Sequence, residues 1–170
     1  FESLPKEDKV IIGGNFVRYY GGFDSYIAAL RFEVPIWAPS MGRKLDGEES
    51  LDGISHLPYM IWCDWMKTLS SFKYAIHLNP NTIAGTFYLN CAYWGIPCIG
   101  NEKADTQRIC YPDLSVDPQD MGKVINLTNK LKNDKDFYKE CSDKSLINYK
   151  KYFDESVYKN HMNKVWESII

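Results

Sequence analysis

The chain has 170 residues, 45% of them hydrophobic, and a formal net charge of −2. That is enough apolar material for one sizeable core, and its acids and bases are interspersed, so no segment gathers the basic face that a nucleic-acid binder needs. The five cysteines include no CxxC pair and fit a reduced, cytoplasmic setting better than a zinc knuckle or a disulfide framework, and no stretch approaches the roughly 20 apolar residues of a membrane span.

The first residue is Phe1 rather than Met, and a short polar run leads at once into a strand, as expected of a domain excised from a longer protein. Lys9 to Gly13 reads as a buried strand that runs into Gly13-Gly14-Asn15, where the backbone can turn sharply and approach a ligand. Asp24 or Ser25 is available to cap a helix carrying Tyr26, Ile27, Leu30 and Phe32, which must end before Pro35. Val34 to Ala38 is a second strand whose proline limits it to a strand start or an edge. Met41 to Gly53 is polar and charged and reads as a surface loop or a poorly formed helix. Ile54 to Met60 is a third strand, followed by a helix with Trp62, Trp65, Met66 and Leu69 at helical spacing.

Tyr74 to Leu78 is apolar apart from His77, the pattern of a strand covered on both faces. Beyond Asn79-Pro80-Asn81 a helix is expected from Ile83, with Phe87, Leu89, Ala92 and Tyr93 inward, Asn81 or Thr82 as its cap and Gly95-Ile96-Pro97 as its stop. Cys98 and Ile99 open another strand, and Ala104 to Cys110 forms a short helix. The last third is helical: Asp120 starts a segment with Met121, Val124, Ile125, Leu127 and Leu131 on one face, and charged turns interrupt it near Lys132 to Asp136. Asp154 caps a final helix whose Val157, Met162, Val165, Trp166 and Ile169 form a stripe that this domain or a neighbour must cover. The alternation of strands and helices predicts a single α/β domain with an open parallel sheet.

In such a sheet, ligands sit beyond the carboxyl ends of the strands, where the following helix presents unpaired N–H groups. Thr82 to Phe87 is therefore the expected anion site, against the plainer reading of an ordinary helix cap. Arg18 is the nearest cation to the glycine loop, either a phosphate ligand or a solvated side chain. His77 is expected to be a satisfied core histidine rather than a general base, and His56 and His161 carry no stronger signal. Asp134-Lys135-Asp136 lies in a charged helix terminus rather than a metal site, and Asn126-Leu127-Thr128 matches a glycosylation sequon only by chance.

The order of these pieces resembles the C-terminal, donor-binding half of GT-B fold glycosyltransferases, most closely the group-1 retaining type. VIIGGNFVRYYGG is similar to that family's opening strand and glycine loop, ISHLPYMIWCDWMKTLSSFKYAIHLNP to the passage carrying its base-binding loop, and NTIAGTFYLNCAYWGIPCIG to its signature helix. DTQRICYPDLSVDPQDMGKVINLTNKLKND and YFDESVYKNHMNKVWESI are similar to the segment that follows and to the terminal helix. The resemblance implies a Rossmann-like sheet with helices on both faces, spanning residues 1–170, whose terminal helix at 154–170 packs on a missing N-terminal, acceptor-binding domain. It implies transfer of a sugar from a nucleoside diphosphate to a glycan, lipid or other acceptor, without a bound metal and with the isolated domain inactive.

The donor site it implies comprises Gly14, Asn15, Arg18, Tyr59, Met60, Thr82, Gly85, Thr86, Phe87 and Asn90. This sequence departs from the family at the charges. Thr82 and Asn90 stand where the family has two glutamates, and Asn15 and Tyr20 stand where it has an arginine and a lysine. A neutral Asn90 can still serve a ribose hydroxyl, whereas the Thr82 hydroxyl cannot supply the charge-assisted bonds of a carboxylate. The departures motivate a rival reading, a catalytically degenerate relative that keeps the fold as a binding or scaffolding module.

Overall fold

The computed structural model describes residues 1–13, 18–39, 51–81 and 83–169, with Arg18 by its main chain alone. Six strands form one sheet: β1 (Glu7–Ile12), β2 (Ile36–Pro39), β3 (Ile54–Leu57), β4 (Phe72–His77), β5 (Cys98–Asn101) and β6 (Ser115–Val116). Their order is β3-β2-β1-β4-β5-β6, and every pairing is parallel. The chain winds outward one way from β1 and the other way from β4. The crevice between their carboxyl ends is thus the switch point of the sheet.

The helices are α1 (Gly22–Ala29), α2 (Trp62–Leu69), α3 (Thr86–Tyr93), α4 (Asp105–Cys110), α5 (Met121–Asn133), α6 (Lys135–Tyr152) and α7 (Glu155–Glu167). Side chains alternate across a strand, and β4 shows the two layers directly. Tyr74 stacks on Phe32, just beyond α1, with ring centroids 4.2 Å apart, while His77 on the opposite face meets Phe87 and Tyr88 of α3. The strand core is fully buried at Val10, Ile11, Ile12, Ala75, Ile76, Cys98 and Ile99, each larger aliphatic group stabilising the fold by about 1.5–3 kcal/mol.

Of the two places expected for its proline, β2 shows the strand start: it begins at Ile36 rather than Val34, lies between β1 and β3, and the Pro35 carbonyl still accepts from Val10 N at 3.0 Å. Several other expectations are corrected. β3 stops at Leu57, leaving Pro58-Tyr59-Met60 as a loop. α1 starts on Gly21, at φ 72°, and not on Asp24 or Ser25. Its buried residues are Gly22, Ser25, Ala28 and Ala29, with Ile27, and Leu30 at its C-terminal cap, facing out. Small side chains let the helix sit close to the sheet.

α3 likewise starts on Gly85, at φ 72°, later than the expected Ile83; of its expected inward positions Ala92 is buried, Phe87, Leu89 and Tyr93 are half-buried, and Tyr88, Asn90 and Cys91 are buried with Ala92. The charged stretch at 132–136 is only a hinge at Asp134, whose carboxylate accepts from Phe137 N at 2.9 Å and starts the long α6. Asp120 and Asp154 cap α5 and α7 as expected, accepting from Lys123 N at 3.0 Å and Ser156 N at 2.9 Å. Each such cap contributes about 1 kcal/mol. α7 buries none of its residues, and Trp166 and Tyr158 on it are exposed.

Tyr88 ties the carboxyl ends of two central strands. Its hydroxyl donates to the His77 carbonyl at 2.8 Å and accepts from Asn101 N at 3.4 Å, all fully buried. Tyr88→Phe is therefore expected to destabilise the fold by about 1–2 kcal/mol through the stranded carbonyl. A urea titration showing an unchanged midpoint would contradict this.

Candidate functional site

The carboxyl ends of β1 and β4 run side by side, Gly13 N donating to the Ile76 carbonyl at 2.8 Å. A polar relay then fixes the start of α1 to the exit of β4. Ser25 Oγ donates to the Gly21 carbonyl at 2.7 Å and accepts from Leu78 N at 3.0 Å. The loop from β4 to α3 is pinned from β5, where the buried Asn101 donates through Nδ2 to the Asn79 carbonyl at 2.7 Å. Thr106 Oγ1, on α4, donates to the Gly85 carbonyl at 3.2 Å. A methyl group on Gly85 would lie 1.8 Å from that oxygen, so only glycine admits the contact and the left-handed turn together.

These anchors hold the first turn of α3 over the switch point, with the positive end of the helix and its unpaired N–H groups at Thr86, Phe87 and Tyr88. Expected at Thr82 to Phe87, the helix start lies at Thr86, which is exposed. Gly13 and the α3 start meet at one rim. The contact is made by Phe87, whose ring stands 2.5 Å from where a Cβ on Gly13 would be. The rim above Gly13 is thus filled by that side chain.

Beside it opens a cleft of about 340 Å³, lined by Pro39, Pro58, Tyr59, Met60, Trp62, Trp65, Phe87 and Asn90. It gathers the ends of β2 and β3, the first turn of α2 and the first turns of α3. Its walls are aromatic and aliphatic, with no charged side chain among the described residues. Tyr59 is 74% exposed at the mouth and Asn90 only 8% exposed at the floor. The Asn90 amide is held from two sides: Nδ2 donates to the Thr86 carbonyl at 3.1 Å and Oδ1 accepts from Trp65 Nε1 at 3.1 Å. Each amide group keeps one further hydrogen-bonding position, a donor on nitrogen and an acceptor on oxygen.

Of the residues singled out in the sequence, the structure brings together Tyr59, Met60, Phe87 and Asn90 in the cleft, with Gly85 and Thr86 at its edge. Gly14, Asn15 and Thr82 lie outside the described residues, and Arg18 belongs by its main chain to a single 3₁₀ turn (Arg18–Tyr20) ahead of α1. Sequence reasoning missed Pro39, Trp62 and Trp65 as site residues. In the sequence the two tryptophans show only helical spacing, while their position at the first turn of α2 directly after Pro58-Tyr59-Met60 places them on the same lip.

His77 is corrected too. It is 3% exposed, but neither ring nitrogen has a hydrogen-bond partner among the described residues, so it is a buried histidine without being a satisfied one. Burial pushes its pKa down to about 4, which keeps it neutral. Among the described residues no three His, Cys, Asp or Glu side chains are placed to hold a metal ion, and no helix is long and apolar enough to cross a membrane.

No protein-family model and no curated protein matches the sequence. Solved structures do. Anabaena HepE in complex with UDP-glucose superposes with a TM-score of 0.74 at 11% identity, covering 94% of this chain and 48% of that one. Sucrose-phosphate synthase from Thermosynechococcus elongatus gives 0.71 at 15% identity over 95% of this chain and 45% of that one. The C-terminal domain of LpcC, a glycosyl transferase group 1 family protein from Francisella tularensis, gives 0.70 at 12% identity and covers 89% of both chains. The chain therefore spans about half the length of HepE and nearly all of an isolated C-terminal domain. Its fold, a six-stranded parallel sheet flanked by helices, is that of one half of a GT-B glycosyltransferase.

Proposed function

We propose that this chain is the nucleotide-sugar-binding domain of a glycosyltransferase, acting with an acceptor-binding N-terminal domain to move a sugar from a nucleoside diphosphate to a glycan, lipid or other acceptor. The observation that carries the reading is the meeting of an apolar aromatic cleft with the first turn of α3 at the switch point of the sheet. A flat base fits between Tyr59 and the α2 tryptophans, a ribose hydroxyl reaches the free positions of Asn90, and the diphosphate falls at the α3 N–H groups. HepE, with the same fold, was solved with UDP-glucose.

In this reading the chemistry is electrostatic. The α3 amides, with Arg18 from the segment ahead of α1 as a candidate cation, stabilise charge building on the leaving diphosphate as the glycosidic bond breaks. The other domain brings the acceptor within reach. The exposed stripe of Val165 and Trp166 on α7, continued by Ile169 just beyond it, is the surface on which that domain packs.

Isothermal titration of the chain with UDP, GDP and their sugars is expected to show binding at millimolar ligand and no turnover. Asn90→Ala is expected to weaken binding by up to about tenfold, the worth of one neutral hydrogen bond. Heat from none of these ligands would remove the donor reading. It would favour the second one, a relative that keeps the fold as a binding or scaffolding module. The observations behind that alternative are the Phe87 ring on Gly13 and the partial use of the Asn90 amide by Trp65 and Thr86.

A further inference from the structure

The donor reading leaves one group unused. His77 ends β4 at the switch point, and its main-chain carbonyl is taken by the Tyr88 hydroxyl, so only the imidazole is left over. A neutral imidazole carries one N–H donor and one acceptor. Burying both without partners is unfavourable, and a leucine here would fill the space without that penalty. The ring lies against the first turn of α3, its centroid 5.4 Å from Phe87 and 5.3 Å from Tyr88.

Phe87 is what stands between this imidazole and the cleft. Its ring meets His77 edge-on at 85°, covers Gly13, and on its other side lines the cleft wall. Phe87 is only half-buried, so rotation of this one side chain toward solvent removes the ring that, among the described residues, lies on Gly13 and meets the imidazole of His77 edge-on next to the start of α3. Resting on the donor reading, we propose that Phe87 is a displaceable cover and that His77 donates a hydrogen bond to a phosphate oxygen of the bound nucleotide once the ring has moved. Being neutral, as its burial dictates, the imidazole adds a directed donor to those of α3 without placing a fixed charge in the core.

The test uses the ¹⁵N-labelled chain, with its three histidines assigned, titrated with UDP and GDP and, in parallel, with uridine and guanosine. The diphosphates are expected to move the ring-nitrogen resonances of His77, and the nucleosides to leave them in place. His77→Phe keeps a ring of similar shape and removes both nitrogens. It is expected to weaken diphosphate binding about tenfold, as for one lost hydrogen bond, with nucleoside binding unchanged.

Diphosphate binding that leaves the His77 nitrogens unmoved overturns the proposal and spares the donor reading. So does a variant that weakens nucleoside and diphosphate equally. If no nucleotide binds, the donor reading falls and this proposal falls with it. Should His77→Phe fail to fold, the nitrogen resonances of the unaltered chain decide the question.

Discussion

Gly21→Ala is expected to lower stability by about 2–5 kcal/mol, a large share of the roughly 5–15 kcal/mol that holds an ordinary domain together. Two effects add. Gly21 has φ 72°, where an L side chain costs about 1–2 kcal/mol. A methyl group there would also sit 1.9 Å from the Leu78 carbonyl oxygen, which is backbone and cannot swing aside. Relieving that contact means moving the start of α1 off the exit of β4, and the Leu78–Ser25–Gly21 relay breaks with it.

Gly53 supplies the control, because its φ is 79° but a methyl group on it would meet nothing within 4 Å. Gly53→Ala should therefore show the conformational penalty alone, about 1–2 kcal/mol. Urea midpoints with unchanged slopes would measure both. Equal losses at the two positions would mean that the close approach of α1 to β4 contributes nothing.

The same glycines explain where sequence reading succeeded and where it slipped. β1 and β4 were legible because a strand buried on both faces must be an unbroken apolar run, and Val10-Ile11-Ile12 and Tyr74-Ala75-Ile76 are such runs. The starts of α5 and α7 were legible because an aspartate does the capping. α1 and α3 instead start on left-handed glycines, where the backbone does what a polar side chain does elsewhere, so Asp24 and Asn81 drew attention wrongly.

The inward face of α3 was misjudged because Phe87, Tyr88, Leu89, Cys91, Ala92 and Tyr93 make it apolar nearly all round, which leaves the period without a unique phase. The inward face of α6 was not legible for the opposite reason, its buried positions being Cys141 and Ser145 among charges. In the site, Pro58-Tyr59-Met60 was singled out only through the family resemblance, because the apolar residues after Ile54 extend the strand pattern to Met60. The pairing of Trp65 Nε1 with Asn90 was not legible, since it joins two helices and leaves no local pattern in either.

Acidification is expected to destabilise the chain first through His77, among the groups whose values are displaced by the fold. Burial holds the folded imidazole at about 4, against an ordinary value of 6.5. Between those values the unfolded chain binds a proton that the folded chain refuses, so stability rises with pH across that window and is undiminished by this group above 6.5. On descending through the window, the accumulated loss is about 3 kcal/mol, after which His77 adds nothing more.

The carboxylates act later and in the same direction. Glu2, Glu33 and Asp154 are lowered below their ordinary values by bonds to Lys67, Lys132 and Ser156 respectively, so their contributions are present above those ordinary values and disappear as pH falls through the lowered ones. The upper part of the window thus belongs to His77 among the groups with displaced values. His77→Phe should flatten the dependence of the urea midpoint there. It should also match or exceed the parent at neutral pH, because the orphaned nitrogens are gone while ring contact with Phe87 and Tyr88 is kept. Parallel curves for parent and variant between neutral pH and about 5 would show that the buried imidazole finds a proton-accepting partner, which would remove the reason for regarding it as held in reserve for a ligand.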